Sequence, residues 1–76
     1  MTWIAETAIT AIREWDAQNH DAPDADLWGD LLYGMDGVDH DATSDDLSEI
    51  AFQDGSRVVS TYGEWRTWVP GDLVIN

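Results

Sequence analysis

Residues 14–56 contain neither Lys nor Arg but hold thirteen carboxylates: Glu14, Asp16, Asp21, Asp24, Asp26, Asp30, Asp36, Asp39, Asp41, Asp45, Asp46, Glu49 and Asp54. On either side, Glu6, Glu64 and Asp72 are balanced by Arg13, Arg57 and Arg66, so the formal net charge of -13 belongs to that one continuous stretch. Charge of this size opposes compaction through self-repulsion. A chain carrying it must gather its apolar groups efficiently to fold. It then either lives in high salt or spends the charge on a basic partner.

The means to fold are present. Apolar residues make up 43% of the chain and include five Trp, two Tyr and one Phe. Aromatic side chains fill a core with few residues, which argues against the disorder that high charge otherwise brings. At 76 residues the chain is expected to form one domain, residues 1–76, with marginal burial and marginal stability. The absence of Cys excludes disulfides, thiolate metal sites and a cysteine nucleophile. The start of the chain lacks a basic and apolar leader, and no apolar run is long enough to span a bilayer. The expectation is a soluble protein in the cytoplasm. Anionic membranes and nucleic acid both recruit Lys and Arg, so neither is expected to be a direct partner.

Residues 3 to 17 read as an amphipathic helix with Ile4, Ala8, Ala11, Ile12 and Trp15 on one face, Thr2 as N-cap and Glu6 near the positive end of the dipole. Pro23 marks a boundary. Asp24 then caps a second helix from about Ala25 to Tyr33, with Leu27, Trp28 and Leu31 as its stripe, although Gly29 weakens it by about 1 kcal/mol. Gly34 to Ser44 reads as an acidic loop. Beyond it the period changes to two. Ile50 and Phe52 alternate with polar or small neighbours, Asp54-Gly55 fits a type I′ hairpin turn, and Arg57–Tyr62 and Trp65–Val69 read as strands. Leu73-Val74-Ile75 is either an edge strand or a tail on the core. The fold class is α+β: two N-terminal helices packed on a three-stranded antiparallel β meander.

The acidic loop suggests a cation, but its spacing fails the EF-hand. With Asp39 and Asp41 at loop positions 1 and 3, Ser44 takes the Gly position and Ile50 the bidentate Glu position. No metal or other cofactor is expected. His20, His40 and several Ser provide acid–base and hydroxyl groups, yet no nucleophile–base–orienter arrangement and no phosphate-cradling loop is present. So short a chain is also expected to struggle to enclose a substrate pocket, and an enzyme is not expected. The two His are read as solvated residues of acidic loops. Trp65 and Trp68 lie three apart in a strand and point to opposite faces. Trp65 is expected inward with Thr67 and Val69. Trp68 is expected outward with Arg66, exposed and available to anchor a partner, since Trp is enriched at interface hot spots.

Two physical explanations account for the charge. Acidic, Lys-free surfaces suit molar salt, and Asp outnumbers Glu 12 to 4. Alternatively, a compact body studded with carboxylates can occupy the Lys/Arg-lined groove of a protein that grips DNA, associating quickly through electrostatic steering. Short Asp side chains lose less entropy than Glu when fixed. In its size, its lack of Cys, its acidic helical half and its compact β meander, the chain resembles the small acidic inhibitors of phages and mobile elements, notably DNA-mimicking anti-CRISPR and anti-restriction proteins. In charge and size it is also similar to acidic immunity proteins and antitoxins that neutralise a nuclease. The first resemblance implies a non-enzymatic inhibitor whose partner is a basic nucleic-acid-binding protein such as a CRISPR effector subunit, met in the host cytoplasm. The expected contact residues are Asp21, Asp24, Asp26, Asp30, Asp36, Asp39, Asp41, Asp45, Asp46, Glu49 and Trp68.

Overall fold

The computed structural model describes residues 2–23, 25–71 and 73–75. Helix α1 (Ile4–Gln18) is followed by a one-turn helix α2 (Asp26–Asp30) and a 3₁₀ turn (Leu32–Gly34). A long turn-rich connection leads to strands β1 (Glu49–Ala51), β2 (Arg57–Thr61), β3 (Glu64–Val69) and β4 (Leu73–Ile75). The strands form an antiparallel meander in the order β1-β2-β3-β4. The α+β class is as expected. The sheet gains a fourth strand from Leu73–Ile75, which pairs with β3.

Helix α1 lies across the inner face of β2 and β3. Its buried side is Ala5, Ala8, Ile9, Ile12 and Trp15, so the stripe is rotated slightly from the expected one and leaves Ile4 and Ala11 half-buried at its rim. The small residues Ala5 and Ala8 let the helix approach the sheet. Opposite them lie Ile50, Val58 and Trp65, all buried in one core cluster with Leu27, Leu32, Val38, Leu47 and Phe52.

Both ends of α1 are closed by polar groups. The N-cap position is Trp3, whose side chain makes no cap, so Thr2 does not serve. The β1–β2 connection supplies the cap instead. The Ile4 N–H donates to Asp54 Oδ2 at 2.7 Å and the Ala5 N–H to Ser56 Oγ at 3.0 Å. Two of the N–H groups that a helix start leaves orphaned are thereby satisfied by residues some fifty positions away in the chain. At the other end the Asn19 backbone and side-chain N–H groups both donate to the Trp15 carbonyl.

The second helix is shorter than its sequence suggested. It stops at Asp30, and Leu31 leaves the helical region at φ -135°, ψ -54°. Leu27 and Leu32 are both fully buried. Five residues apart, they face different sides of a continuous α-helix, which repeats every 3.6 residues. Breaking the helix at Leu31 turns both into the core, and Gly29 lowers the cost of stopping there. Ala25 takes the cap position without a side-chain bond. The proposed cap Asp24 lies outside the described residues.

Turn types also differ from expectation. Across Asp54-Gly55 the Gly55 N–H donates to the Phe52 carbonyl and the Phe52 N–H to the Ser56 carbonyl. Gly55 has φ +90°, but Asp54 is not in the positive-φ region. This is a three-residue loop with a left-handed Gly, not a two-residue type I′ turn. The two-residue loop is the next one. Thr61 pairs with Glu64, and the intervening Tyr62 and Gly63 have φ 52° and 79°, the positive pair that a type I′ turn requires.

The acidic connection is pinned rather than loose. Val38 forms an isolated bridge with Phe52, the Asp39 N–H donates to the Ala51 carbonyl, and the Gln53 N–H to the Gly37 carbonyl. Val38, Thr43 and Leu47 are buried anchors along it. The Thr43 hydroxyl donates to the Asp39 carbonyl and accepts from the Ala51 N–H.

Candidate functional site

The carboxylates expected to meet a partner divide by what they do inside the fold. Four of them are engaged. Asp30 accepts from the Trp15 indole N–H at 3.0 Å, which ties α2 to α1. Asp39 accepts from the Ala42 N–H and shapes a turn. Asp46 accepts from the Ser48 N–H, the Ser48 hydroxyl and the Ser44 hydroxyl. These bonds, led by the Ser48 N–H, hold the Asp46 carboxyl below its ordinary range. Glu49 is half-buried on β1 and ion-paired with Arg57 across the strand pair.

The others face solvent. Asp21 lies 3.5 Å from His20, with both side chains largely exposed, a contact of little energetic weight. Asp26, Asp36, Asp41 and Asp45 are exposed, and their carboxylates make no hydrogen bond or ion pair among the described residues. Asp24 lies outside the described residues. The cations are all taken: Arg13 donates to the Trp65 carbonyl at 2.7 Å, Arg57 to Glu49, and Arg66 to Glu64 at 3.0 Å. Among the described residues, Glu49 is the one carboxylate of the acidic segment that pairs with an Arg, and most of the negative field is left uncompensated.

Asp54 is a separate case. Partial burial pushes its carboxyl up, but the bonds from the Ile4 N–H, the Ser56 hydroxyl and the Ser56 N–H outweigh that and hold it below its ordinary value. The anion sits at the positive end of α1, where a negative charge is favoured. This carboxylate belongs to the fold.

Trp68 is not the exposed anchor expected of it. The strand parity is right: Trp65, Thr67 and Val69 are buried on the inner face, and Trp68 points the other way with Arg66. Yet Trp68 is only half exposed, because the Arg57 guanidinium lies over its ring, 5.4 Å from the centroid. Arg57 and Trp68 are cross-strand neighbours, and the long side chain covers the indole.

The exposed aromatic surface lies elsewhere. Tyr33 is 68% exposed and packs with Trp28 and His40 in a three-ring cluster, with centroid separations of 5.3, 5.1 and 5.5 Å. Trp28 comes from α2, Tyr33 from the 3₁₀ turn and His40 from the pinned connection. The sequence pattern puts Trp28 in an apolar helix stripe and His40 in a solvated acidic loop. The available signal was that the aromatics Trp28 and Tyr33 and the ring of His40 all fall inside the base-free stretch.

A cleft of about 500 Å³ lies between the end of α1 and the β2–β3 turn, lined by Arg13, Asp16, Glu64, Trp65 and Arg66 among others. It is an open surface cleft, not the enclosed substrate pocket that so short a chain is expected to struggle to form. Its polar side chains are two Arg already bonded to protein oxygens and two carboxylates, with no hydroxyl, thiol or imidazole nucleophile. Among the described residues no group of three or more His, Asp or Glu side chains converges to hold a metal ion. No helix among them is long and apolar enough to cross a membrane. No protein-family model matches the chain, and comparisons with curated proteins and with solved structures find no match.

Proposed function

We propose that this protein is a non-enzymatic inhibitor whose carboxylate-rich surface occupies the basic nucleic-acid-binding site of a partner, a CRISPR effector subunit in the first instance. The observation that carries this reading is the uncompensated field. The carboxylates of Asp26, Asp36, Asp41 and Asp45 are exposed without partners among the described residues, while every Arg is bonded within the fold. A solvated face of mixed charge would have spent some of its carboxylates on nearby bases. The acidic connection is held by Val38, Thr43 and Leu47, so its charges are presented on a pinned backbone, and preorganisation of this kind lowers the cost of binding.

The test is competition. The protein, titrated into a DNA-bound CRISPR effector complex at low salt, should displace the duplex, and its expression should protect a targeted phage. The variant with Asp26, Asp36, Asp41 and Asp45 all changed to Asn should do neither. Retention of full inhibition by that folded variant would overturn the mimicry. The second reading, acidity for solvation alone, draws on the same unpartnered carboxylates and the lack of Lys. It expects unfolding in dilute buffer and recovery in molar KCl, whereas an inhibitor by mimicry folds at low salt and binds best there. Capture of a nuclease toxin in place of a CRISPR complex would assign the chain to the immunity class.

A further inference from the structure

Three rings meet at the surface inside the base-free segment, brought there by three different elements. Trp28 is half-buried and rests against the hydrophobic core, so the cluster has a fixed floor. Tyr33 and His40 are exposed above it. The planes of Trp28 and Tyr33 are inclined at 39°, and His40 stands nearly perpendicular to both. Each ring contacts the other two, which fixes the orientation of side chains that would otherwise move freely. The nearest chain neighbours of these rings include Asp26, Asp30, Asp36, Asp39 and Asp41.

The chemistry of such a surface favours a cation. The faces of Trp and Tyr are electronegative, and the neighbouring carboxylates add to their field. The spacing narrows the kind of cation. A methylated ammonium held between rings must sit within about 6 Å of each centroid with open space between them. Centroids 5.1 to 5.5 Å apart leave no such space, so a cation must lie on top of the cluster. A planar guanidinium does this well. It stacks on an open ring face while its edge donates to carboxylates in the same plane, whereas a hydrated, compact ammonium gains less from the ring.

We propose that the Trp28–Tyr33–His40 surface is the seat of an arginine side chain from the basic protein partner. Charge complementarity selects a basic protein, and the exposed ring of Tyr33 selects arginine over lysine. This inference rests on the reading that the acidic segment meets such a protein, and it adds which residue of that protein anchors the contact.

The experiment uses oligo-arginine and oligo-lysine peptides of equal length, titrated at low salt, with ring-proton and indole NMR shifts as the readout. The arginine peptide should bind roughly two- to fivefold tighter than the lysine peptide and should move the signals of Trp28, Tyr33 and His40. Tyr33→Ala should abolish that preference, weakening the arginine peptide more than the lysine peptide. His40→Ala, also at an exposed position, serves as a second variant, and near-UV circular dichroism checks that both fold. Equal affinity of the two peptides for the wild-type protein would overturn the proposal. So would a preference that survives both substitutions, or no binding of either peptide. The Asn variant at Asp26, Asp36, Asp41 and Asp45 separates the two levels. If it loses both peptides while the wild type shows no arginine preference, the acidic surface stands and the ring seat fails. If it binds both as the wild type does, the acidic-surface reading fails, and the ring seat stands or falls on the Tyr33→Ala result.

Discussion

At the scale of single residues, Asp54 and Tyr62 have the clearest consequences. Asp54 caps α1 from the β1–β2 loop while also bonding Ser56. Asp54→Ala should cost about 1–2 kcal/mol, the upper range for loss of a helix cap, read as a lower midpoint in urea. Asp54→Asn keeps an acceptor and isolates the charge. Because the folded-state carboxyl is held below its ordinary value of 3.8, its stabilisation is fully present above that value and is lost as pH falls through the lower folded-state value. The wild type should therefore be more stable than Asp54→Asn at neutral pH. The gap should close in strong acid, in thermal melts run across the acid range; a gap independent of pH would show that the charge plays no part. Tyr62 sits fully exposed with φ 52°, a conformation that costs most side chains about 1–2 kcal/mol. Asn tolerates that region and is favoured before Gly in this turn. Tyr62→Asn should raise the melting temperature by about 4–8 °C for each kcal/mol relieved.

Among the elements, the hairpins set the register of the sheet and so the fate of both strand tryptophans. Gly55 has φ +90°, and a Cβ there would meet Pro70 Cγ at 3.2 Å. Gly55→Val thus combines a disallowed backbone with a tight contact and should destabilise by more than about 1 kcal/mol. The same loop carries Asp54 and Ser56, so the damage should extend to α1 and be visible as lost helical signal near the midpoint. Trp65 is 8% exposed in the central core, and Trp65→Ala should cost about 3–5 kcal/mol, enough to unfold a marginal domain. Trp68→Ala should cost less, because Trp68 is half-exposed with the Arg57 guanidinium over its ring. In single-Trp variants, acrylamide should quench Trp68 to an intermediate degree and Trp65 least. Full exposure of Trp68 would show that Arg57 does not cover it in solution.

For the molecule as a whole, the charge opposes the fold that presents it. The carboxylates of Asp26, Asp36, Asp41 and Asp45 have no partner among the described residues to offset their repulsion. Changing all four to Asn should raise stability in dilute buffer, and added salt should shrink the gain as screening reaches about 8 Å at physiological ionic strength. The same change should weaken association with a basic partner. A variant more stable but less able to bind is the signature of charge kept for a contact. A variant that gains nothing at low salt would show that these carboxylates lie too far apart to repel.

The sequence alone determined the net charge and its confinement to one segment, the long first helix, the alternation that separates Trp65 from Trp68, and the strand-rich end. These depend on composition and on short-range periodicity, which a chain carries wherever it folds. Tertiary structure decided the rest. Leu27 and Leu32 both had to reach the core, and that requirement broke a helix whose local pattern continued to Tyr33. The cap of α1 came from Asp54 and Ser56, because a buried helix start accepts any oxygen that packing brings to it, near or far in sequence. The true type I′ turn fell at Tyr62-Gly63 because strand pairing, not dipeptide preference, placed the two-residue loop there. The Trp28–Tyr33–His40 cluster had no periodic signal at all. It exists because Val38, Thr43 and Leu47 pin a loop whose path depends on contacts with β1, and contacts between distant parts of a chain are not written in any short stretch of it.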